Sequence, residues 1–312
     1  MVSVVIPLYN VELYVERCLK SVLAQSYKDV EIVIVDDAST DHSLRIAEHF
    51  QDAHSNIRIL RHERNLGLMS TRRDGYMSAS GDFILFLDAD DALPIDAVKT
   101  LVEKQAETEA DIVMGNLKKY YPNGRTERRV GSYDQGHAAT STTILAALIG
   151  RKIIHSLCGK LFKTSLFCHG ELLTYAHLTI AEDACLLYQL VARAHTIASI
   201  DTIVYAYYVH KTSTSLRAYT PIQIDNIVQA YKTIKDICKS YPQLQDLLNR
   251  RLTQVMFTLY FERVPLTTVR ALLRKYGLIR YGSIAYACKY LSLKDYWYCV
   301  KRYVYVRTMM KK

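Results

Sequence analysis

The first 115 residues alternate short apolar runs with amphipathic stretches of helical length. Runs of four to eight residues rich in Val, Ile, Leu and Phe are typical of strands buried on both faces. Strands that alternate with helices of about 10 to 15 residues predict an α/β domain with a mostly parallel sheet. The runs that predict strands are residues 2–9, 30–35, 57–60, 83–87 and 112–115.

The turns that follow the first strands disfavour two common nucleotide sites. No Gly-x-Gly-x-x-Gly follows the first strand, which argues against a dinucleotide site of the Rossmann type. No Gly-x-x-x-x-Gly-Lys-Ser/Thr occurs either, which excludes a P-loop. The first helix is expected over residues 11–25, with Asn10 as its N-cap. Later in the chain, the Tyr-Pro-Asn-Gly sequence at 121–124 predicts a hairpin turn, and helical periodicity dominates from Pro221 onward.

Three carboxylates follow the fourth apolar run directly: Asp88, Asp90 and Asp91. Ligands of open parallel sheets bind beyond the carboxyl ends of the strands, and clustered carboxylates repel one another unless a cation lies between them. Asp88 and Asp90 are two residues apart, so both can point to the same side. We therefore expect a site for Mg²⁺ or Mn²⁺, completed by water and phosphate oxygens. The alternative is that Asp90 or Asp91 caps the next helix, near Pro94.

Composition bounds the class of protein. Half of the 312 residues are hydrophobic, so a full core is expected. The sequence opens on a strand-like run without a basic leader, and no apolar run reaches the ~18 residues of a membrane-spanning helix, so we expect neither a secretory signal nor a membrane span. The seven cysteines are scattered and form no Cys-x-x-Cys pair, which favours reduced thiols in the cytoplasm and disfavours a zinc site.

The net charge of +9 hides an asymmetry along the chain. Residues 1–110 carry 11 Lys and Arg against 19 Asp and Glu, whereas residues 266–312 carry 11 basic residues against one acid, Asp295. Tyrosines and Trp297 interleave with these basic residues, which suits a helical segment that lies on an anionic membrane. A helical lid packed on the catalytic domain is the alternative, and nucleic-acid binding is disfavoured because no recognised module appears.

From residue 1 to about 215 the chain resembles glycosyltransferase family 2, of the type that builds bacterial cell-surface polysaccharides. Five motifs occur in the family's order. They are residues 2–10, the stretch 31–41, Asn65-Leu66-Gly67 with Arg72 and Gly75, the acidic run 88–91, and the pair Glu182-Asp183. The resemblance implies a GT-A fold, which is a Rossmann-like mixed, mostly parallel sheet flanked by helices. A C-terminal helical extension is expected to follow it.

The resemblance assigns a nucleotide site to five residues and a metal site to one. Pro7 ends the first strand, Tyr9 stacks on the base, Asp37 accepts from a uracil N–H, Arg72 reaches the diphosphate or base, and Asp88 contacts the ribose. Asp90 is the metal ligand for Mn²⁺ or Mg²⁺, with Asp91 behind it or capping the helix. From the residues alone, Tyr9 also suits the core, Asp37 a turn and Arg72 a solvated surface. The family commonly has Asn where this chain has Arg73, which leaves open which guanidinium faces the nucleotide.

Asp183 is implied to be the catalytic base, which takes the proton of the acceptor hydroxyl as its oxygen attacks. Glu182 and Asp183 also precede an apolar helix, so a capping role is open to both, together with or instead of catalysis. The segment 208–215 resembles one that closes over the diphosphate, where His210 or Lys211 meets phosphate or metal; a plain polar loop is the alternative. Lys160 lies in an element that resembles the acceptor side, where it can equally be structural.

The function implied is an inverting, metal-assisted transfer of a sugar from a nucleotide-diphosphate sugar, with UDP-sugar expected, to a hydroxyl of a glycan or lipid-linked saccharide. The alternatives are a nucleotidyltransferase that makes a nucleotide sugar, and a non-catalytic binder of sugar nucleotides. The expected location is cytoplasmic, peripheral at the inner face of the cell membrane. We expect three regions: a nucleotide-sugar half at 1–115, an acceptor half at 116–220, and a basic, Tyr-rich helical extension at 221–312.

Overall fold

The computed structural model describes residues 1–133, 138–168, 172–175, 178, 180–210, 219–260, 262, 264–293, 295 and 297. The chain forms two compact units. The first unit comprises Met1–Leu178 and Glu182–Thr212, and the second comprises Thr179–Ala181 and Ser213–Lys312.

Unit 1 is built on a sheet whose eight strands lie within the described residues. Their order is β3-β2-β1-β4-β7-β5-β6, with β8 paired to β5. The pairs β1–β2, β2–β3, β1–β4 and β5–β8 are parallel, whereas β4–β7, β5–β7 and β5–β6 are antiparallel. The strands are β1 (Val2–Leu8), β2 (Val30–Asp36), β3 (Ile57–Arg61), β4 (Phe83–Phe86), β5 (Ile112–Tyr120), β6 (Thr126–Arg129), β7 (Lys160–Lys163) and β8 (Ile197–Tyr208). The mixed, mostly parallel α/β sheet expected from the sequence is confirmed.

Helices cover this sheet because their apolar stripes match its buried strands. Helix α1 buries Val15, Cys18, Leu19 and Val22, three and four residues apart, against a sheet whose first strand is wholly buried. The helices of unit 1 are α1 (Val15–Leu23), α2 (Ser43–Ala53), α3 (Leu68–Ser78), α4 (Ala97–Thr108), α5 (Ser141–Ile149), α6 (Ser165–Cys168) and α7 (Glu182–Arg193).

Helix α1 begins four residues later than the sequence predicts, so the expected N-cap at Asn10 is wrong. Asn10 adopts a left-handed φ of 51°, and its side-chain oxygen accepts a hydrogen bond from the Thr40 N–H at 2.8 Å. Ser43 Oγ accepts from the Val11 N–H at 2.7 Å. Side chains around the start of α2 therefore hold residues 10–11 as a loop, and Tyr14 takes the N-cap position.

The predicted hairpin at 121–124 is confirmed. Strands β5 and β6 pair in antiparallel fashion on either side of it, and the Tyr121 N–H donates to the Arg125 carbonyl at 2.9 Å. Gly124 has φ of +80°, a conformation that side-chain-bearing residues rarely adopt. Strand β5 runs five residues beyond the predicted end at 115, because β8 pairs alongside it as far as Tyr120.

Unit 2 is helical in its described residues, as the periodicity after Pro221 predicts. Its first helix has a complete capping box, in which Thr220 and Gln223 each bond the other's backbone, and Pro221 occupies the first turn. Its helices are α8 (Pro221–Ile237), α9 (Gln245–Leu259), α10 (Leu266–Lys275) and α11 (Ile284–Tyr290), with 3₁₀ turns at Cys238–Ser240, Pro242–Leu244 and Ile279–Gly282. Across the residues with described positions, we find no helix that combines the length and apolarity required to cross a bilayer.

Candidate active site

The parallel strands β1, β2 and β4 deliver the sequence-predicted acidic residues to one edge of the sheet. Leu8 at the end of β1 lies opposite Asp36 of β2, and Val5 lies opposite Phe86 of β4. The loops that begin at Asp37 and Leu87 therefore leave the sheet at the same edge. This is the edge at which open α/β sheets bind ligands.

Arg72 joins two of the predicted site residues that are far apart in sequence. It lies on α3 with a guanidinium that is only 2% exposed. One terminal nitrogen donates to Asp88 Oδ1 at 2.8 Å and the other donates to Asp183 Oδ1. Asp88 follows β4 and Asp183 lies in the first turn of α7, 111 residues beyond Arg72. The acidic run after β4 and the late acidic pair thus meet in one site.

The charges around Arg72 compensate one another. Burial opposes its charge, but the carboxylates of Asp183 and Asp88 outweigh that effect and raise the pKa of Arg72 well above its ordinary value. Both carboxylates keep partial access to solvent, with side-chain exposures of 30% for Asp88 and 22% for Asp183. Ligands can therefore reach the two carboxylates, whereas the guanidinium that links them is covered.

Glu182 precedes Asp183 and lies in a different environment. Its Oε2 atom is shielded from solvent and has no hydrogen-bond partner among the described residues. Burial, reinforced by the charge of Asp183, raises the pKa of Glu182 to about 7. Burial and the charge of Asp183 therefore both favour the neutral form of Glu182.

Asp91 is buried and fastens the acidic loop to the sheet. Its carboxylate accepts from the Tyr205 hydroxyl at 2.7 Å and from the Tyr208 N–H at 2.7 Å. Burial, together with the charges of Asp90 and Asp88, raises the pKa of Asp91 to about 8. Asp91 thus holds the loop after β4 against β8, which agrees with the supporting position that the sequence suggests.

Asp90 is more accessible, with 29% of its side chain exposed. Its Oδ2 lies 2.6 Å from Nε2 of His210, whose ring stacks on Tyr14 at 4.8 Å between centroids. The Asp90 carbonyl accepts from Arg17, and Arg17 lies over the ring of Tyr208 at 3.6 Å. The structure therefore brings Asp90 and His210 together, while a role of His210 at phosphate or metal stays a prediction. The other expected residue of that loop, Lys211, lies outside the described residues.

The donor atoms at Asp90 fit a hard divalent cation that arrives with a nucleotide. No cluster of three or more His, Cys, Asp or Glu placed to hold a metal occurs in the described part of the chain. Mg²⁺ and Mn²⁺ at nucleotide sites need only one or two protein ligands, because phosphate and water oxygens supply the rest. The Asp90 carboxylate, with the adjacent His210 imidazole, meets that requirement.

On the nucleotide side, Tyr9 and Asp37 follow the paired ends of β1 and β2, but a ligand has different access to them. Tyr9 is 47% exposed, so its ring is available as a stacking surface, while Pro7 is buried within β1. Both oxygens of Asp37 are engaged by the protein, accepting from the Leu66 N–H at 2.7 Å and the Gly67 N–H at 2.9 Å. Asp37 thus organises the turn before α3, and its direct contact with a base stays a prediction.

Several residues near the acidic run were not predicted from the sequence. Arg17 and Tyr14 look like ordinary surface residues of a helix, and no signal marks them. The thiol of Cys158 lies 3.6 Å from Asp88 Oδ2, and burial raises its pKa well above the ordinary value. Of these residues, Tyr205 alone carries a usable signal, because tyrosines cluster at positions 205, 207 and 208.

Lys160 is fully buried at the start of β7, and its Nζ donates to the Ser156 carbonyl at 2.6 Å. Burial lowers its pKa to about 8, against the opposing influence of Cys158 and Asp183. Burial of an amine of this kind lowers the free energy of unfolding at neutral pH. Its place near Asp183 agrees with the element that the resemblance puts on the acceptor side, although that role stays a prediction.

Comparison with known proteins gives a consistent result. A family model described as glycosyl transferase family 2 matches residues 3–167. The glycosyltransferase GlyA of Streptococcus pneumoniae serotype 4 is 32% identical over 239 residues, which cover 73% of this chain and 33% of GlyA. This chain therefore spans about a third of the length of that relative.

Solved structures share the fold. S. aureus TarS 1–349, crystallised with UDP-GlcNAc, superposes with a TM-score of 0.73 at 21% identity, covering 98% of this chain and 89% of that one. The mannosyltransferase PcManGT of Pyrobaculum calidifontis, solved with GDP-Man and Mn²⁺, has a TM-score of 0.58 at 16% identity, covering 98% and 86%. At these identities the likeness establishes the fold, and the GT-A type sheet expected from the sequence is confirmed.

Proposed function

The chain belongs to glycosyl transferase family 2, and from that premise we propose that it is an inverting transferase that uses a nucleotide-diphosphate sugar, most specifically a UDP-sugar. One observation carries the proposal. Asp88 after β4 and Asp183 on α7 share the guanidinium of Arg72, which puts a donor-side carboxylate and a candidate base in one site. The acceptor is a hydroxyl of a glycan or of a lipid-linked saccharide.

The donor half of the proposal is supported by chemistry at the sheet edge. The exposed ring of Tyr9 offers a face for a base, Asp37 shapes the loop beside it, and the accessible carboxylate of Asp88 suits ribose hydroxyls. UDP-GlcNAc is the ligand of the TarS complex, whereas the PcManGT complex holds GDP-Man. The TarS complex favours a uracil nucleotide as the donor of this chain, and the PcManGT complex makes a guanine nucleotide the alternative to be tested.

The reaction needs a base opposite the leaving nucleotide. In the proposed step Asp183 takes the proton of the acceptor hydroxyl, the acceptor oxygen bonds to the anomeric carbon, and the bond from that carbon to the diphosphate breaks. One displacement inverts the anomeric configuration. A divalent cation held by Asp90, with His210 beside it, would supply positive charge to the departing diphosphate.

The setting that we propose is the cytoplasmic face of a bacterial membrane, where surface polysaccharides are assembled. Support comes from unit 2, whose basic residues are accompanied by exposed apolar side chains. Ile284 is 76% exposed, Leu293 83% and Trp297 62%. Basic residues with interfacial aromatics are the composition of segments that lie on anionic lipid.

The proposal is tested by the products of the reaction. The purified protein is incubated with Mn²⁺ and each of UDP-glucose, UDP-galactose, UDP-N-acetylglucosamine and GDP-mannose, with water as the acceptor. We expect at least one of these donors to release a nucleoside diphosphate. The freed sugar should first appear in the NMR spectrum with the anomeric configuration opposite to that in the donor. Release of pyrophosphate from a nucleoside triphosphate and a sugar phosphate would instead identify a nucleotidyltransferase. Retained configuration would overturn the single displacement.

A further inference from the structure

Arg72 and Arg73 are neighbours in sequence with opposite surroundings. Arg73 is exposed on α3. Arg72 is buried, with two terminal nitrogens bonded to carboxylates that belong to different elements. The nucleotide contact that the resemblance assigns to Arg72 would need a guanidinium that solvent and ligands can reach, and only 2% of it is reachable.

The fork of the guanidinium explains why arginine occupies this position. Its nitrogens lie in one plane at fixed separation, so two acceptors bonded to them are held at a fixed distance and angle. Here the acceptors are Asp88, 16 residues along the chain, and Asp183, 111 residues along it. A lysine ammonium is a compact point charge on a flexible stem and cannot impose the same geometry.

We infer that Arg72 is a positioning residue, which fixes the carboxylate of Asp183 relative to the donor-side carboxylate of Asp88. The inference rests on the proposed function, because it takes Asp183 as the base and Asp88 as part of the donor site. Small misplacements of a base relative to the reacting carbon cost large factors in rate. Arg72 thereby positions the base, Asp183, relative to the bound donor.

The experiment compares four proteins: wild type, Arg72→Lys, Asp183→Asn and the double variant. The probe is hydrolysis of whichever of UDP-glucose, UDP-galactose and UDP-N-acetylglucosamine the wild type cleaves fastest, and UDP binding is measured by calorimetry with Mn²⁺. Arg45→Lys is the matched control, since it makes the same change on an exposed side chain of α2. Thermal unfolding checks that each variant is folded.

We expect Arg72→Lys to lower kcat by about 10- to 100-fold, while the donor KM and the Kd of UDP stay within about 3-fold. In the Asp183→Asn background the same change should lower kcat by less than about 3-fold, because residues that act as one unit are not additive. The Arg45→Lys control should match wild type. Should Arg72→Lys fail to fold, Arg72→Gln alone and combined with Asp183→Asn measure the same coupling.

Two results would overturn the inference while leaving the proposed function intact. A rise in the Kd of UDP that accounts for the lost kcat/KM would make Arg72 a nucleotide contact. Losses that multiply in the double variant would mean that Arg72 acts independently of Asp183. A wild type that cleaves neither these three UDP-sugars nor GDP-mannose would instead overturn the proposed function, and this inference with it.

Discussion

Asp90 and Asp91 are adjacent in sequence, but their surroundings give them different chemistry. Asp91 is buried, and two groups of β8, the Tyr205 hydroxyl and the Tyr208 N–H, donate to it. Asp90 is partly exposed and meets the imidazole of His210. A buried, hydrogen-bonded carboxylate holds a loop in place, whereas an accessible one can bind a ligand. We therefore expect mutations of Asp90 and of Asp91 to have different effects.

Replacing Asp183 by Asn should abolish most turnover and spare donor binding. The amide keeps the size of the side chain and a hydrogen-bond acceptor for Arg72, but it cannot take the proton of the acceptor. General bases contribute about 10²- to 10⁴-fold, so kcat for UDP release should fall in that range. Calorimetry with UDP and Mn²⁺ should give a Kd close to that of the wild type. Transfer at the normal rate would remove Asp183 from the mechanism.

Replacing Asp90 by Ala should weaken the binding of UDP only when a divalent cation is present. The carboxylate is an accessible oxygen donor of the acidic run, so its loss would remove a cation ligand. We expect a Kd for UDP raised at least about 10-fold in Mn²⁺, and little change in EDTA, since one lost ligand typically costs a few kcal/mol. Asp52→Ala, on the exposed face of α2, is the control. Equal affinities for both variants in Mn²⁺ would exclude Asp90 as a ligand.

At the scale of elements, the sequence specifies strands better than the boundaries between elements. Strands β1, β2 and β4 consist mostly of apolar residues, so burial on both faces dictates them locally. The start of α1 is decided by Ser43 and Thr40, which belong to the next strand–helix unit, and no local pattern contains that information.

The candidate site, like the fold, can be predicted from the sequence only in part. The acidic residues after β2 and β4 follow from strand order, since the carboxyl ends of adjacent parallel strands share an edge. The ion pair of Arg72 with Asp183 spans 111 residues, so its prediction would require the placement of α7, which propensity and periodicity do not give. A motif is recognisable at each end of this ion pair, but the resemblance assigns Arg72 to the nucleotide, and that assignment stays a prediction.

The burial of Lys160 in β7 should lower the free energy of unfolding by an amount that can be measured. A pKa lowered from 10.5 to about 8 corresponds to roughly 3 kcal/mol of folding free energy at neutral pH, which the Ser156 hydrogen bond offsets only in part. Because the folded-state pKa lies below the unfolded one, the cost is fully present below pH 8 and disappears as the pH rises toward 10.5. Lys160→Met should therefore raise the free energy of unfolding at pH 7 by about 1–2 kcal/mol.

Urea unfolding at pH 7 and pH 10 measures this effect. The advantage of Lys160→Met over wild type should shrink between the two pH values, whereas Lys163→Met, at the other and more exposed end of β7, should show no such change. Comparing variants at each pH cancels the titration of the buried cysteines and Tyr205. A constant difference between Lys160→Met and wild type would mean that the lysine stays charged in the folded protein.

At the scale of the whole molecule, the two units have different surfaces. The acidic sequence of residues 1–110 belongs to unit 1, and unit 2 combines basic residues with exposed apolar ones. Helix α11 buries none of its residues, and both Ile284 on it and Trp297 beyond it are largely exposed. Exposure of these apolar side chains to water is unfavourable in free energy, and contact with an anionic bilayer would remove that penalty.

The membrane proposal predicts that the protein sediments with vesicles containing phosphatidylglycerol and remains in solution with pure phosphatidylcholine. Each basic residue near an anionic surface contributes about 1 kcal/mol and each inserted large apolar side chain about 1.5–3 kcal/mol, so replacing Ile284 and Trp297 by Ser should lower partitioning by more than ~10-fold. Leu13→Ser, which removes an equally exposed apolar residue of unit 1, should leave partitioning unchanged. Because the electrostatic part is screened, 0.5 M salt should also weaken binding. Binding that depends on neither lipid charge nor salt would make the basic residues of unit 2 irrelevant to membranes and would favour their packing as a lid.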